Sequence, residues 1–199
     1  MLSTTFALIA IASPVTGALA QAGDPALVPV QALCDGLIGI MKGGKAAGYG
    51  GRSATIGPVV DRSFDIPLMT RLAVGGGWTT VSPADQTALV AAVRRLTIAQ
   101  YARNFDSWSG QSFTIVPKVE ARGTDRLVRT TLLSKGSEPV ALAYRLRESG
   151  GTFRIIDVFY RNSISQLATR RADFARVLST GGAKALIAHL DDLAAKGNN

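Results

Sequence analysis

Apolar positions recur at steps of three and four through the first half of the chain and alternate singly between residues 112 and 162. The first pattern predicts helices with one buried face, the second strands. Residues 25–42 place Val30, Leu33, Leu37, Ile40 and Met41 on one helical face, and Gly43-Gly44 ends the helix. A loop through Tyr49-Gly50-Gly51 is expected next. Over residues 52–72 the apolar set Ile56, Val59, Val60, Phe64, Ile66, Met69 and Leu72 predicts short helices, broken near Pro58 and Pro67, which lack amide donors. Gly75-Gly76-Gly77 bends the chain before Trp78. Ser82-Pro83-Ala84-Asp85 then reads as a helix start, with Ser82 as N-cap and an acid in the first turn. That helix is predicted to reach Trp108. Leu89, Val93 and Leu96 mark one edge of its apolar face, and Thr97, Tyr101 and Phe105 continue it from Val93.

Four strands follow, at residues 112–121, 125–134, 138–148 and 152–162, with turn signals at Gly123, Lys135-Gly136 and Gly150-Gly151. Such short connections imply an antiparallel meander. In the third strand Val140, Leu142, Tyr144 and Leu146 alternate with Ala141, Ala143, Arg145 and Arg147. One of its faces is therefore apolar. The fourth is apolar on both faces, with Ile156, Val158 and Tyr160 against Ile155, Asp157 and Phe159, which predicts a central, covered strand. Two closing helices carry Leu167, Phe174, Val177 and Leu178, then Leu186, Ile187, Leu190 and Leu193, parted by Thr180-Gly181-Gly182; the last three residues are expected to fray. Helices and strands segregated along the chain predict an α+β fold.

Residues 1–20 read as a removable export signal, from the apolar run Phe6 to Ala12 and the small-residue step Ala18-Leu19-Ala20, although no Lys or Arg precedes the run. The run is too short to span a bilayer. Residues 21–199 then form one domain. Cys34 has no partner within the chain and sits in an apolar helical pattern, as a small buried hydrophobe would.

A net charge of +8 allows attraction to anionic lipid surfaces or acidic partners. The densest basic pairs, Arg94-Arg95 and Arg170-Arg171, are not interleaved with aromatics, which argues against nucleic acid. With His189 and Cys34 alone the chain builds no conventional His or Cys metal cluster and no H-E-x-x-H site. Gly75-Gly76-Gly77 lacks the phosphate-loop frame, and neither G-x-S-x-G nor G-x-G-x-x-G occurs. No cofactor is expected. Asp157 is the acid to weigh, because burial in an apolar strand raises a carboxyl pKa and suits a general base. Beside Tyr144 it would imitate a proton-shuttling isomerase of cone-shaped α+β fold. The alternative is a bond to a backbone amide, or a pair with Arg154 or Arg161.

Several blocks in order resemble the MlaC, or toluene-tolerance auxiliary, family of periplasmic phospholipid carriers. Arg52 through Phe64-Asp65-Ile66, then Met69 and Gly77-Trp78, is similar to the family's arginine, FD-[IL] and Gly-Trp elements. Gln86 through Leu96 to Tyr101-Ala102 resembles its long helix, and Val140 to Tyr144 the strand before a Gly-Gly turn. Phe153-Arg154-Ile155-Ile156-Asp157-Val158 resembles an aromatic-[KR]-[IV]-x-Asp-Val segment, and Ile164-Ser165 with Arg171-x-x-Phe174 resembles the ending. Phe153 stands where a tryptophan is common, and Tyr160-Arg161-Asn162-Ser163 replaces a glycine-containing turn. Val30-Gln31-Ala32-Leu33 and Met41-Lys42-Gly43-Gly44 look more like the hopanoid-associated HpnM branch.

The resemblance implies a curved four-stranded antiparallel sheet covered by helices around an apolar pocket, an NTF2-like cradle. It implies a monomeric, non-enzymatic carrier in the periplasm that shuttles phospholipid or hopanoid between an outer-membrane lipoprotein complex and an inner-membrane ABC-type transporter. The expected lining is Ile66, Met69, Leu72, Trp78, Leu96, Tyr101, Phe105, Val128, Val140, Leu142, Tyr144, Ile156, Val158 and Tyr160. An isomerase using Asp157 and a periplasmic adaptor stay open beside the carrier.

Overall fold

The computed structural model describes residues 23–196, so the expected export signal and the expected fraying of the last three residues lie outside the described residues. Helices α1 (Leu27–Gly43), α2 (Gly48–Ser63), α3 (Ile66–Val74) and α4 (Pro83–Asn104) precede the strands, and α5 (Gln166–Ala195) closes the chain. They cover a six-stranded antiparallel sheet of β1 (Ser112–Ile115), β2 (Glu120–Arg122), β3 (Asp125–Leu133), β4 (Val140–Ser149), β5 (Thr152–Tyr160) and β6 (Ile164–Ser165). The sheet runs β1-β3-β4-β5-β6, with β2 also on β3.

Six strands replace the four expected. The expected first strand is divided because Pro117 has no amide to donate to a ladder. β1 and β2 consequently pair with separate stretches of the same edge of β3, Ile115 opposite Thr130 and Glu120 opposite Leu127. The sixth arises where Arg161 and Asn162 take positive φ and turn the chain back, pairing Phe159 with Ser165. β5 is accordingly not central: its far neighbours are the two-residue β6 and a single parallel bridge from Phe64 to Ile155. Its two apolar faces have another cause. Arg145 pairs with Asp157 but Leu146 with Ile155, which makes Ile156 the extra residue of a β-bulge. Beyond the bulge the alternation is reset, and Ile155 and Ile156 are both buried.

The expected loop at Tyr49-Gly50-Gly51 is instead the first turn of α2. Glycine is a poor helix former, but tertiary contacts outweigh propensity here. Arg52 donates from Nε to the Ala102 carbonyl at 2.7 Å and from Nη1 to the Gly44 carbonyl at 2.8 Å. One guanidinium thereby satisfies carbonyls at the C-terminal ends of α4 and α1, where they have no partner within the helix. Pro58 does not break α2, since it lies on the exposed side and the carbonyl it leaves free faces water. The real break is Phe64-Asp65. Asp65 caps α3 by accepting from the Leu68 amide at 2.9 Å, with Pro67 in the first turn, and its own amide donates to the Ile155 carbonyl at 2.9 Å. That joint ties the helical layer to β5.

Ser82 caps α4 as predicted, accepting from the Asp85 amide, but the helix stops at Asn104 with Phe105 as its cap, not at Trp108. The expected pair of closing helices is α5 with a kink at Gly182, whose φ of 66° and ψ of −165° are open essentially to glycine alone. His189 bridges that kink, with Nε2 3.0 Å from Asp173. Solid packing joins α1, α2 and the first turns of α4 to Val128, Leu146 and Ile155. Cys34 is buried in that core, and burial pushes its thiol up to about 12.

Candidate functional site

At the other end of the sheet the helices stand off and leave a cavity of about 450 Å³. This is the size of a small-molecule site. The sheet contributes Leu132, Val140, Leu142, Tyr144, Val158 and Tyr160. Leu37 of α1, Phe64 of the joint and Met69 of α3 close the inner end, and all three are buried. α4 supplies Thr97, Gln100, Tyr101, Asn104 and Phe105, which are residues i, i+3, i+4, i+7 and i+8 of one helical face. α5 adds Gln166 and Arg170, one turn apart.

The wall has two chemistries. Phe64, Tyr101 and Phe105 form a tilted aromatic file with ring centroids 6.0 and 5.9 Å apart, and with Leu142, Tyr144 and Val158 they make an apolar interior. Desolvation raises the Tyr144 phenol well above its usual range and raises Tyr101 as well, so both rings are neutral at any physiological pH. Along the junction of α4 and α5 the lining turns polar: Thr97, Gln100, Asn104, Gln166 and Arg170. Exposure rises in the same direction, from buried Thr97 to exposed Asn104 and Gln166. The cavity is thus amphiphilic, with a dry inner end and a polar flank that leads to solvent.

Eight of the fourteen expected residues line this cavity: Met69, Tyr101, Phe105, Val140, Leu142, Tyr144, Val158 and Tyr160. The structure does not bring the other six to it. Ile66, Leu96 and Val128 are packed in the solid core, and Trp78 lies half-buried against that core after α3. Leu72 and Ile156 line a different cavity of about 400 Å³, with Arg145, Arg147, Asp157 and Phe159. Ile156 is the extra residue of the β5 bulge and has no partner on β4, so a period-two count from Val158 does not place it.

Leu37, Phe64, Thr97, Gln100, Asn104, Leu132, Gln166 and Arg170 were not among the expected lining. Leu132 continues the β3 alternation from Val128, and Gln100 and Asn104 fall on the α4 face already marked by Thr97 and Tyr101. Polar residues at those steps are the readable signal.

Asp157 does not face Tyr144 across the cavity, since Tyr144 pairs with Val158 and Asp157 lies opposite Arg145. Its two oxygens accept from Ser165 Oγ at 2.6 Å and from the Leu167 amide at 3.0 Å. Ser165 in turn accepts from the Ala168 amide at 2.9 Å. Together they cap α5, with a carboxylate at the positive end of the helix. Neither Arg154 nor Arg161 pairs with it among the described residues; the backbone-amide alternative describes its bonding.

The sheet's other face carries charge. Asp125, 1% exposed, accepts from Arg145 Nε at 2.5 Å and from Arg147 Nε at 2.6 Å. Burial alone would raise the Asp125 pKa, but the bonds from Arg147 and Arg145 outweigh it and hold the carboxyl below its usual value. Among the described residues no group of three or more His, Cys, Asp or Glu is arranged to hold a metal ion, and no helix is long and apolar enough to cross a membrane.

The model of the family described as MlaC protein matches residues 31–192 of this chain. No curated protein matches it. Among solved structures it is similar to that of the phospholipid-binding protein from Ralstonia solanacearum in complex with a phospholipid. The two are 27% identical with a TM-score of 0.72, and the match covers 87% of this chain and 99% of that one.

Proposed function

The chain belongs to the MlaC family, and from that premise we propose that it is a periplasmic carrier which holds a lipid by its tails in the cavity between the sheet, α4 and α5. The observation that carries this reading is the hollow itself, about 450 Å³ with an apolar inner end and a polar flank at the open side. An amphiphile fits such a gradient and a solid core does not. The similar protein from Ralstonia solanacearum, whose structure contains a phospholipid, supports the same ligand class.

The physical need is large. Two acyl chains carry on the order of 30 methylenes at about 0.8 kcal/mol each, so bare transit through water costs roughly 20 kcal/mol or more. A shielding cavity removes that barrier. Its affinity must stay close to that of a bilayer, or cargo would never be released. The proposed route runs between an outer-membrane lipoprotein complex and an inner-membrane ABC-type transporter, with residues 1–20 as the export signal and residues 21–199 as one lipid-binding domain acting as a monomer. The HpnM-like opening, Val30-Gln31-Ala32-Leu33, keeps a hopanoid as the alternative cargo.

Asp157 gives an isomerase little support, being occupied at the α5 cap and away from the cavity's Tyr144. The deciding experiment is mass spectrometry of lipid extracted from protein purified without detergent from a periplasm. Near-stoichiometric phospholipid is expected. Recovery of hopanoid would move the chain to the other branch, and an empty, folded protein from a lipid-competent host would overturn the carrier reading in favour of an adaptor.

A further inference from the structure

Arg170 is the charged side chain among those lining the main cavity. It projects from α5 one turn after Gln166, onto the polar flank and between the dry inner end and the open side. Its bonds go to neutral oxygens only: Nη1 donates to Thr97 Oγ1 at 3.3 Å and Nη2 to Gln100 Oε1 at 2.9 Å. A guanidinium has five N–H donors, so three are unspent. Among the described residues no carboxylate pairs with it. Asp157 acts on it only at a distance, because that carboxylate is committed to Ser165 and the Leu167 amide.

Five other buried or half-buried arginines of the fold are used differently. Arg52 and Arg103 end on helix-terminal carbonyls, and Arg129, Arg145 and Arg147 end on carboxylates. The last three meet full negative charge supplied by the chain, and the first two meet the partial negative charge of helix C-terminal ends. Arg170 bonds to no carboxylate and feels Asp157 only from a distance, and a charge held away from water without a bonded counter-charge is costly. Burial accordingly pushes its pKa down, although a guanidinium remains protonated.

We propose that the missing counter-charge is brought by the cargo: Arg170 binds the phosphate of a phospholipid head group, which makes the cavity selective for phosphate-bearing lipids over neutral ones with the same tails. The inference rests on the carrier reading and adds to it the residue that reads the head group. A guanidinium suits this task because its planar fork gives two parallel N–H bonds to phosphate oxygens. Thr97 and Gln100 hold the fork in place while it waits. The same chemistry admits a fatty-acid carboxylate, so the test includes one.

Protein stripped of lipid is equilibrated with an equimolar mixture of dioleoylphosphatidylglycerol, dioleoylglycerol and oleic acid, and bound lipid is quantified by mass spectrometry. The unaltered protein is expected to take the phospholipid over the diacylglycerol by roughly tenfold or more, the scale of one charge-assisted bidentate pair. Arg170→Gln should abolish most of that preference, read as the ratio of bound phospholipid to bound diacylglycerol, and Arg170→Lys should keep part of it. An unchanged ratio in Arg170→Gln overturns the proposal, as does enrichment of oleic acid over the phospholipid. Should Arg170→Gln fail to fold, the ratio in the unaltered protein decides, and equal uptake of phospholipid and diacylglycerol overturns the proposal. Failure of the carrier reading looks different: the unaltered protein takes up none of the three, and the inference falls with it.

Discussion

Val128, Leu146 and Ile155 lie on the same face of the sheet as Leu142, Val158 and Tyr160, yet the first three are fully buried in solid packing and the second three line a hollow. Residue type does not separate the two ends, since both are aliphatic or aromatic. What differs is the layer above. At the solid end α1, α2 and α3 all reach β5, and Val30, Leu33 and Ile56 fill the space. At the hollow end the facing helix presents Thr97, Gln100 and Asn104. Amides and hydroxyls cannot be pressed dry against leucine and valine without losing hydrogen bonds, so that helix does not close onto the sheet. A cavity here follows from polar residues on a face that would otherwise be core.

The sharpest way to separate the two ends is to remove the same atoms from each. Leu146→Ala should lower unfolding free energy by about 2–5 kcal/mol, the range for a large-to-small change in a core. Leu142→Ala, beside an existing hollow, should cost about 1 kcal/mol or less, because fewer contacts are lost. Urea denaturation checks both, and equal losses would mean that the hollow is filled in solution.

Next in size is the opposite face. Asp125→Asn should cost about 1–3 kcal/mol, the worth of hydrogen bonds to a charged group that the arginines lose. Its pH signature has a definite sign. The folded pKa lies below the unfolded one, so the stability is present above about pH 4, the unfolded value, and disappears as pH falls through the folded pKa. Asp125→Asn should flatten the acid limb of a pH–stability profile and leave lipid content unchanged. Altered lipid content would show that the two faces are coupled.

Leu142→Arg should change stability by about 1 kcal/mol or less, since a long side chain at a cavity wall can extend its head toward the open side. It should nevertheless abolish lipid retention, read by mass spectrometry of the purified variant; full lipid content in a folded variant would remove Leu142 from the lining. Smallest in stability is Val158→Phe, which fills the hollow with apolar volume. Thermal denaturation should move little, and lipid uptake should fall several-fold.

Much of the fold was readable because local chemistry and tertiary packing agreed. The Ser82 cap, the α1 stripe, the alternation of β4 and the Gly-bounded hairpins all appear where the spacing places them. Disagreements arose where a single group overrode the pattern around it. Arg52 holds a glycine-rich turn as helix, and Pro117 divides a strand whose apolar pattern runs on. The site was half legible for the same reason. Alternation on β4 puts Leu142 and Tyr144 on one face, but only the height of α4 above them makes that face a wall. Arg170 stood out in sequence merely as half of a basic pair, because its lack of a carboxylate partner is a property of three dimensions.

The bulge at Ile156 gives β5 something like a reading frame. Residues after it are counted from a new origin, which is why Val158 and Tyr160 line the cavity while Asp157 turns away to the start of α5. Deleting one residue there would act as a frameshift in space, sending Asp157 and Phe159 inward and the two lining residues out, with the composition of the strand almost untouched. A single extra residue thus keeps a helix cap and a cavity wall on adjacent positions of one strand without either intruding on the other.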